Sequence, residues 1–167
     1  MIKDKKRICI IGGPGSGKST LANILNQKLS LPKYHLDGFH FNQNWVENDK
    51  QQRDLEVIRI ANTDEWIIEG VYSSTLLERI KLADLVIYLD YSQFALIRNV
   101  ILRRIKTKSR PEIHGAKERI TFDFLNYVIH YKKVRTPIIE EIITEANPTY
   151  IIRFKKRKTL NQWIKSI

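Results

Sequence analysis

The sequence is poor in cysteine and contains no long apolar segment. Its one cysteine, Cys9, permits neither an internal disulfide nor a cysteine metal cluster. No apolar run approaches the roughly 20 residues that a membrane-spanning helix needs. Only the short apolar stretch 8–11 separates the basic start of the chain from Gly12, and it is too short for the core of a signal peptide. These absences predict a cytoplasmic protein without membrane association.

Internal repeats, low-complexity tracts and linkers are also missing from the chain. A length of 167 residues is ordinary for one domain and sufficient for a substantial buried core. An apolar fraction of 43% favours a folded globule over a disordered chain. We therefore expect a single domain over residues 1–167, present as a monomer or a homodimer.

Acidic residues are few relative to basic ones, 18 against 29, which gives a net charge of +11. Such a balance favours polyanions, either nucleotide phosphates or a nucleic-acid backbone. The run Lys155-Lys156-Arg157-Lys158 is a candidate nucleic-acid contact, although no helix-turn-helix or zinc finger accompanies it. Scattered charge on a solvated surface is the alternative explanation.

One stretch matches the phosphate-binding pattern G-x-x-x-x-G-K-[ST] at every fixed position. An apolar run before it predicts a buried strand, and helical apolar spacing follows it. In this arrangement backbone N–H groups surround a phosphate at the positive end of a helix. Lys18 would reach the outer phosphates of ATP, and Ser19 would bind Mg²⁺. The predicted ATP-binding residues of this loop are Gly12, Gly13, Pro14, Gly15, Ser16, Gly17, Lys18, Ser19 and Thr20.

Strands and helices alternate along the chain, which predicts a doubly wound α/β domain with a five-stranded parallel sheet. The predicted strands are 8–11, 33–36, 66–68, 85–89 and 150–152. Helices are expected after the phosphate loop, over 53–61 with Leu55 and Ile58 along one side, up to Leu82, over 92–105, over 116–146 and at the end of the chain. Pro137 predicts a break or kink. Ser73, Ser74 and Thr75 compete as caps of the helix that ends at Leu82. Thr75 with Glu78 fits a capping box, as Thr159 with Gln162 does for the last helix.

Three carboxylates directly follow predicted strands. They are Asp37, Glu69 and Asp90. Parallel strands with right-handed crossovers place all their carboxyl ends at one edge of the sheet, where ligands bind. We therefore expect these carboxylates beside the phosphate loop.

Several segments together resemble the adenylate-kinase-like P-loop nucleoside and nucleotide kinases, and among them the bacterial topology modulation proteins. The segments are GGPGSGKST at 12–20, HLDGFHFNQNW at 35–45, WIIEGVYSSTLLERIKLADLVIYLD at 66–90, LRRIKTKSRPE at 102–112 and FDFLNYVIHY at 122–131. The resemblance implies a three-layer P-loop NTPase fold with a short helical lid. It also implies an acceptor-binding region at about 37–64 and a lid at about 106–117.

The resemblance further implies roles on the ATP side of the site. Lys18 and Arg103 would contact the transferring phosphate, and Arg110 in the lid would also contact ATP. Glu69 stands where these kinases carry an aspartate in an Asp-Gly pair, and since a glutamate reaches further it would contact Mg²⁺ through water. A carboxylate at the entry of the next helix is the alternative. Asp90 is a second candidate Mg²⁺ carboxylate, with a purely structural role as the alternative.

On the acceptor side, the resemblance implies that Asp37 orients the accepting hydroxyl and receives its proton. The alternative is a turn residue, since Asp37 precedes Gly38. Phe39 and Trp45 could stack a flat ring, and His40 could hydrogen-bond its edge. Packing in the core is the alternative for these aromatic residues. Glu69 is also counted among the acceptor-side residues.

Two departures from the family pattern narrow these expectations. Gly70 is followed by Val71-Tyr72 rather than by the Phe-Pro-Arg of true adenylate kinases, which argues against AMP as acceptor. The lid is short and carries no cysteine, so no structural zinc is expected there. The sequence thus predicts an ATP- and Mg²⁺-dependent phosphotransferase with an unidentified small-molecule acceptor. The alternative is a nucleotide-binding, DNA-associated regulatory protein.

Overall fold

A single parallel sheet of five short strands organises the fold, in the order β2-β3-β1-β4-β5. A computed structural model describes residues 2–36, 49–106 and 121–167, with the side chains of 104–106 excepted. The strands are β1 (Arg7–Gly12), β2 (Lys33–His35), β3 (Trp66–Glu69), β4 (Leu85–Leu89) and β5 (Ile151–Phe154). The five predicted strands are therefore confirmed, and each boundary lies within two residues of its expected position.

The described helices cover both faces of this sheet. The central strands β3, β1 and β4 are consequently buried along almost their whole length. The helices are α1 (Lys18–Leu29), α2 (Lys50–Ala61), α3 (Ser73–Leu82), α4 (Gln93–Lys106), α5 (Phe122–Ala146) and α6 (Arg157–Ser166). A short 3₁₀ turn spans Ile2–Asp4. Continuous apolar sequence is what a strand covered on both faces requires. None of the described helices is both long and apolar enough to cross a membrane.

The register of the strands aligns their carboxyl ends. Gly12 pairs with Leu89 of β4, and His35 pairs with Glu69 of β3. The phosphate loop leaves β1 at this same edge and leads directly into α1. The edge of the sheet expected to hold the site is thus the one where the loop and Glu69 lie.

Helix α2 begins earlier than expected and buries a different face. Asp49 caps it by accepting a hydrogen bond from the amide of Gln52, so the helix starts at Lys50. Leu55, expected on the buried side, is 70% exposed. The prediction was wrong because the face that packs inward is set by Arg53 and Val57, and an arginine gave no apolar signal.

Neither predicted capping box forms. Tyr72 precedes α3 without a side-chain cap, and Thr75 lies inside the helix, where its hydroxyl accepts from Arg79. Thr159 likewise lies inside α6 and donates its hydroxyl to the carbonyl of Lys156. A Ser/Thr-x-x-Glu/Gln pattern caps a helix only when its Ser or Thr directly precedes the helix. Helices α3 and α6 begin at Ser73 and Arg157, before these threonines.

The long helix α5 does not break at Pro137. It runs without interruption from Phe122 to Ala146, and Thr121 caps it by accepting from the amide of Phe124. The proline deprives the carbonyl of Lys133 of its helical partner. Lys133 and Pro137 both lie on the exposed side, where water can bond this carbonyl. The first residues of the predicted helix, 116–120, lie outside the described part of the chain.

Asp84 joins the amino-terminal edge of the sheet to the loop before β4. Its carboxylate accepts from the amides of Lys6 and Arg7, at 3.1 and 2.9 Å, and from the Arg7 guanidinium at 3.2 Å. Partial burial opposes ionisation, but these hydrogen bonds outweigh it and hold the pKa of Asp84 below its usual range.

We predict that Asp84→Asn lowers the free energy of unfolding by about 1–3 kcal/mol at pH 7, because hydrogen bonds to a charged acceptor are lost. The lowered pKa means that the folded state favours the ionised form. The contribution is therefore fully present above the unfolded-state pKa of about 3.9 and is lost progressively as the pH falls from there through the lower folded-state pKa. Urea unfolding at pH 7 and at pH 3.5 measures this difference. Asp64→Asn, at an exposed carboxylate, is the control, and an equal loss there would contradict the assignment.

Candidate active site

The phosphate loop closes onto the first turn of α1. Gly17 precedes that helix with φ 92°, a conformation that glycine adopts readily and other residues rarely do. The ammonium of Lys18 donates to the carbonyl of Gly13 at 3.2 Å, which draws the lysine side chain across the loop. The first amides of a helix have no partners within it and carry the positive end of its dipole. This arrangement fits the phosphate groups of a nucleotide.

Helices α4 and α5 fix the shape of the loop from outside. Asn99 of α4 donates its amide to the carbonyl of Gly15 at 3.1 Å. A Cβ atom at Gly13 would lie 2.6 Å from Leu96 and 3.0 Å from the ring of Tyr131, so only glycine fits there. The loop is therefore held by contacts that the motif itself does not contain.

Glu69 lies at the end of β3 and is only 4% exposed. One of its carboxylate oxygens accepts from the hydroxyl of Ser19 at 2.8 Å and lies 2.7 Å from Nδ1 of His35. Burial favours the neutral acid, but the hydrogen bond from His35, the charge of Lys18 and the bond from Ser19 outweigh it. The pKa of Glu69 consequently lies below its usual range, and the side chain is a carboxylate at neutral pH.

A hydroxyl and an ionised carboxylate within hydrogen-bond distance are the donor set that Mg²⁺ prefers, since this ion takes a few oxygen ligands and keeps several waters. Ser19 and Glu69 therefore fit a magnesium ion bound beside a nucleotide. Among the described residues, no group of three or more His, Cys, Asp and Glu side chains could hold a metal ion by itself. The remaining ligands of Mg²⁺ would therefore come from water and the nucleotide.

A cavity of about 990 Å³ opens between the phosphate loop, α2, the Glu69–Ser74 segment, α4 and α5. Among its described lining residues, Glu69 is the one carboxylate. The basic side chains that line it are Lys18, Lys50, Arg53, Arg103, Arg135 and Arg157. Such a wall of cations attracts phosphate and other anionic groups.

Asp90 follows β4 as predicted, but it does not line this cavity. One of its oxygens pairs with Lys132, and the other lies 3.5 Å from the Arg153 guanidinium. Arg153 in turn forms a two-fold pair with Glu140. The structure thus places Asp90 in an ion-pair cluster that ties β4 and β5 to α5, apart from Ser19 and Glu69.

Three functional candidates at the cavity or at Glu69 have no role predicted from the sequence at this site. His35 was assigned only to a strand, and its contact with Glu69 depends on the pairing of β2 with β3. Arg53 was assigned only to a helix, yet it is buried against Asp54 and the ring of Tyr72. Arg157 belonged to the predicted basic run, but its guanidinium lies 3.6 Å from a Cβ built at Gly17.

Other predicted site residues cannot be placed. Asp37, Phe39, His40, Trp45 and Arg110 lie outside the described residues, as does the lid from residue 107 onwards. Arg103 is described and does line the cavity. Lys155, Lys156 and Lys158 are exposed on either side of Arg157. The predicted basic run is therefore divided between the cavity and the surface.

Comparison with curated proteins finds three kinds of kinase. A shikimate kinase of Clostridium botulinum is 25% identical and matches 88% of this chain and 98% of its own. An adenylate kinase of Buchnera aphidicola is also 25% identical and matches 90% and 78%. A cytidylate kinase of Sulfurisphaera tokodaii is 39% identical, over 51% of this chain and 55% of its own. No protein-family model matches the sequence.

Solved structures with the same fold are also kinases. The shikimate kinase of Bacteroides thetaiotaomicron superimposes with a TM-score of 0.61 at 17% identity, covering 97% of this chain and 96% of its own. The shikimate kinase of Acinetobacter baumannii in complex with shikimate gives 0.57 at 16%, covering 99% and 96%. The expected fold class is thereby confirmed. The parallel sheet and these similarities support a P-loop kinase-like superfamily for the chain and point to a kinase whose acceptor is unspecified.

Proposed function

We propose that the protein is an ATP- and Mg²⁺-dependent phosphotransferase that acts on a small anionic acceptor. The observation that carries the proposal is the contact of Glu69 with Ser19, beside Lys18 and at the wall of a basic cavity. A buried, ionised carboxylate next to the serine of a phosphate loop is expected where a nucleotide and its metal ion bind. It is not expected in a glycine-rich turn that binds no ligand. Phosphoryl transfer requires chiefly positioning and neutralisation of charge, and these side chains provide both.

On the donor side, the loop amides and Lys18 would bind the β- and γ-phosphates. Ser19 and Glu69 would hold Mg²⁺, which neutralises charge on the phosphates when it is bound. Arg103 on α4 lines the cavity and would contact the transferring group. Arg157, beside Gly17, adds a second cation on the loop side.

On the acceptor side, Lys50 and Arg53 extend from α2, and Arg135 extends from α5. Arg53 contacts the face of Tyr72 with its Cζ 4.9 Å from the ring centre, so this cation is fixed rather than freely rotating. Cations on this side favour an acceptor with a carboxylate or phosphate group. The acceptors in the relatives' names, shikimate, cytidylate and adenylate, are all anions.

The remaining parts of the proposal rest on sequence. Asp37, two residues beyond His35, would orient the acceptor hydroxyl and receive its proton. Arg110 would contact ATP from the lid, while Phe39, His40 and Trp45 would contact the acceptor. A relationship to the topology modulation proteins and a cytoplasmic location are likewise proposed from the sequence. A DNA-associated role gains no specific support, because Arg157 lines the cavity.

Glu69 and Asp90 can be separated by experiment. Glu69→Gln should weaken the Mg²⁺ dependence of ADP binding or turnover about 10–100-fold, the range seen when a metal site loses an orienting group. Asp90→Asn should leave Mg²⁺ dependence within about twofold and lower stability, because Lys132 loses its charged partner and Arg153 loses one of two. Calorimetric titration with ADP at graded Mg²⁺ measures the first effect, and thermal unfolding the second. An unchanged Mg²⁺ dependence in Glu69→Gln would exclude it from the metal site.

The support of the loop by α4 gives a second prediction. Asn99→Ala should weaken ADP binding about 3–10-fold, since one hydrogen bond that shapes the loop is lost. Ile101→Ala on the same helix, at a residue that is 47% exposed and does not line the cavity, is the control. Equal ADP affinity in wild type and Asn99→Ala would show that the loop holds its shape without α4.

The acceptor class is tested by comparing anionic acceptors with neutral ones. Shikimate, CMP and AMP form the first group, and the nucleosides cytidine and adenosine form the second. We expect ATP-dependent phosphorylation in the anionic group, reduced at least about tenfold by Arg53→Met, because a bound anion loses a charge-assisted hydrogen bond. Coupled detection of ADP release measures turnover.

Asp37→Asn completes this experiment. The variant should abolish transfer to a hydroxyl acceptor while leaving ADP affinity unchanged, because the carboxylate acts on the acceptor and not on the nucleotide. The kinase proposal fails if no acceptor is phosphorylated and Asp37→Asn leaves residual ATP hydrolysis as in wild type. Efficient turnover of neutral nucleosides alone would contradict the anionic class but keep the kinase.

A further inference from the structure

Arg79 on α3 is a fully buried cation at 0% exposure. Its guanidinium donates to the carbonyl of Gly70 and to the carbonyl of Tyr72, each at 3.1 Å. Its Nε is shared between the carbonyl and the hydroxyl of Thr75. The Sγ of Cys9 in β1 is a weaker contact at 3.8 Å. Among the described residues, the acceptors of this guanidinium are thus two carbonyls of one loop, the helix's own Thr75 and a thiol.

None of these acceptors is a carboxylate, which is unusual for a buried cation. Burial lowers the pKa of Arg79 by disfavouring the charged form, and Cys9 partly opposes this effect. An arginine nevertheless keeps its proton in proteins. Burial of a charge is costly unless the charge is hydrogen-bonded, so breaking the bonds from Arg79 to the carbonyls of Gly70 and Tyr72 is unfavourable. Arg79 therefore holds these carbonyls in position.

The two carbonyls belong to the segment Glu69–Ser74, every residue of which lines the cavity. Gly70 has φ 131°, and a Cβ there would lie 2.9 Å from Leu36, so this turn is tight and specific. In a trans peptide the N–H points opposite to the carbonyl. Fixing the carbonyls of Gly70 and Tyr72 towards Arg79 therefore turns the N–H groups of Val71 and Ser73 to the other side of the segment.

We propose that Arg79 is a positioning residue of the active site, which holds the segment Glu69–Ser74 in its ligand-binding conformation through the carbonyls of Gly70 and Tyr72. Arg79 touches no ligand, because it does not line the cavity. It acts through the backbone that carries Glu69 at one end and Tyr72, the partner of Arg53, in the middle. The part of this inference that concerns Mg²⁺ rests on the proposed function.

Arg79→Lys tests the proposal, with Ile80→Ala as the matched control. Lysine keeps the charge but cannot bridge two carbonyls and Thr75 from one planar group. Ile80 is equally buried on the same helix, so its truncation lowers stability without touching either carbonyl. Arg79→Met removes the charge and the hydrogen bonds together.

Hydrogen exchange and ADP titration are measured well below each unfolding midpoint. In Arg79→Lys we expect exchange to rise at least about tenfold at the amides of Gly70 and Thr75, which bond the carbonyls of Ile10 and Tyr72, while those of 8–11 in β1 keep wild-type rates, as in local opening. We also expect the Mg²⁺ enhancement of ADP affinity to fall at least about fivefold, because Glu69 loses its fixed position. Ile80→Ala should change neither.

The proposal is overturned if Arg79→Lys matches Ile80→Ala in both measurements. It is also overturned if both Arg79 variants fail to fold while Ile80→Ala folds, since Arg79 would then serve only the fold. If wild-type ADP binding shows no Mg²⁺ enhancement, the magnesium part of the proposed function fails. The exchange rates of Gly70 and Thr75 then decide alone whether Arg79 holds the segment.

Discussion

The carboxylate of Glu69, shared between Ser19 and His35, is the interaction on which the site depends. It joins the ends of β2 and β3 to the first turn of α1. The parallel register makes this possible, because it places His35 opposite Glu69 at the edge where the phosphate loop also emerges. A shorter aspartate at this position would have less reach towards the hydroxyl. The buried charge persists because neighbouring donors compensate for its loss of water.

Basic side chains on one side of the molecule hold the segment that follows Glu69 and line the cavity. Arg79 binds backbone carbonyls beneath the segment that follows Glu69, and Arg53 packs against Tyr72 on that segment. Both side chains are buried. Further basic side chains face the cavity. Part of the large positive charge of the chain is thus concentrated where a nucleotide and an anionic acceptor would meet.

These buried cations explain two wrong predictions, the inward face of α2 and the capping box at Thr75. The inward face of α2 contains Arg53, so apolar periodicity pointed to Leu55 and Ile58 instead. Thr75 matched a capping box, but its hydroxyl bonds Arg79 within the helix. Asp90 follows a strand as a ligand would, and in the folded chain it pairs with Lys132 and Arg153. Apolar periodicity and capping motifs take no account of such ionic contacts, which depend on the fold around them.

The sequence by itself determined the strands, the position of the phosphate loop and the carboxylate at the end of β3. These follow from local rules, because buried strands need continuous apolar residues and the loop needs glycines and a lysine at fixed spacing. Only the tertiary structure decided which side chains surround that loop. Asn99, His35 and Arg157 come from three separate elements and meet at the loop or at Glu69. Their meeting depends on strand order and helix packing, which arise from the burial of the whole core.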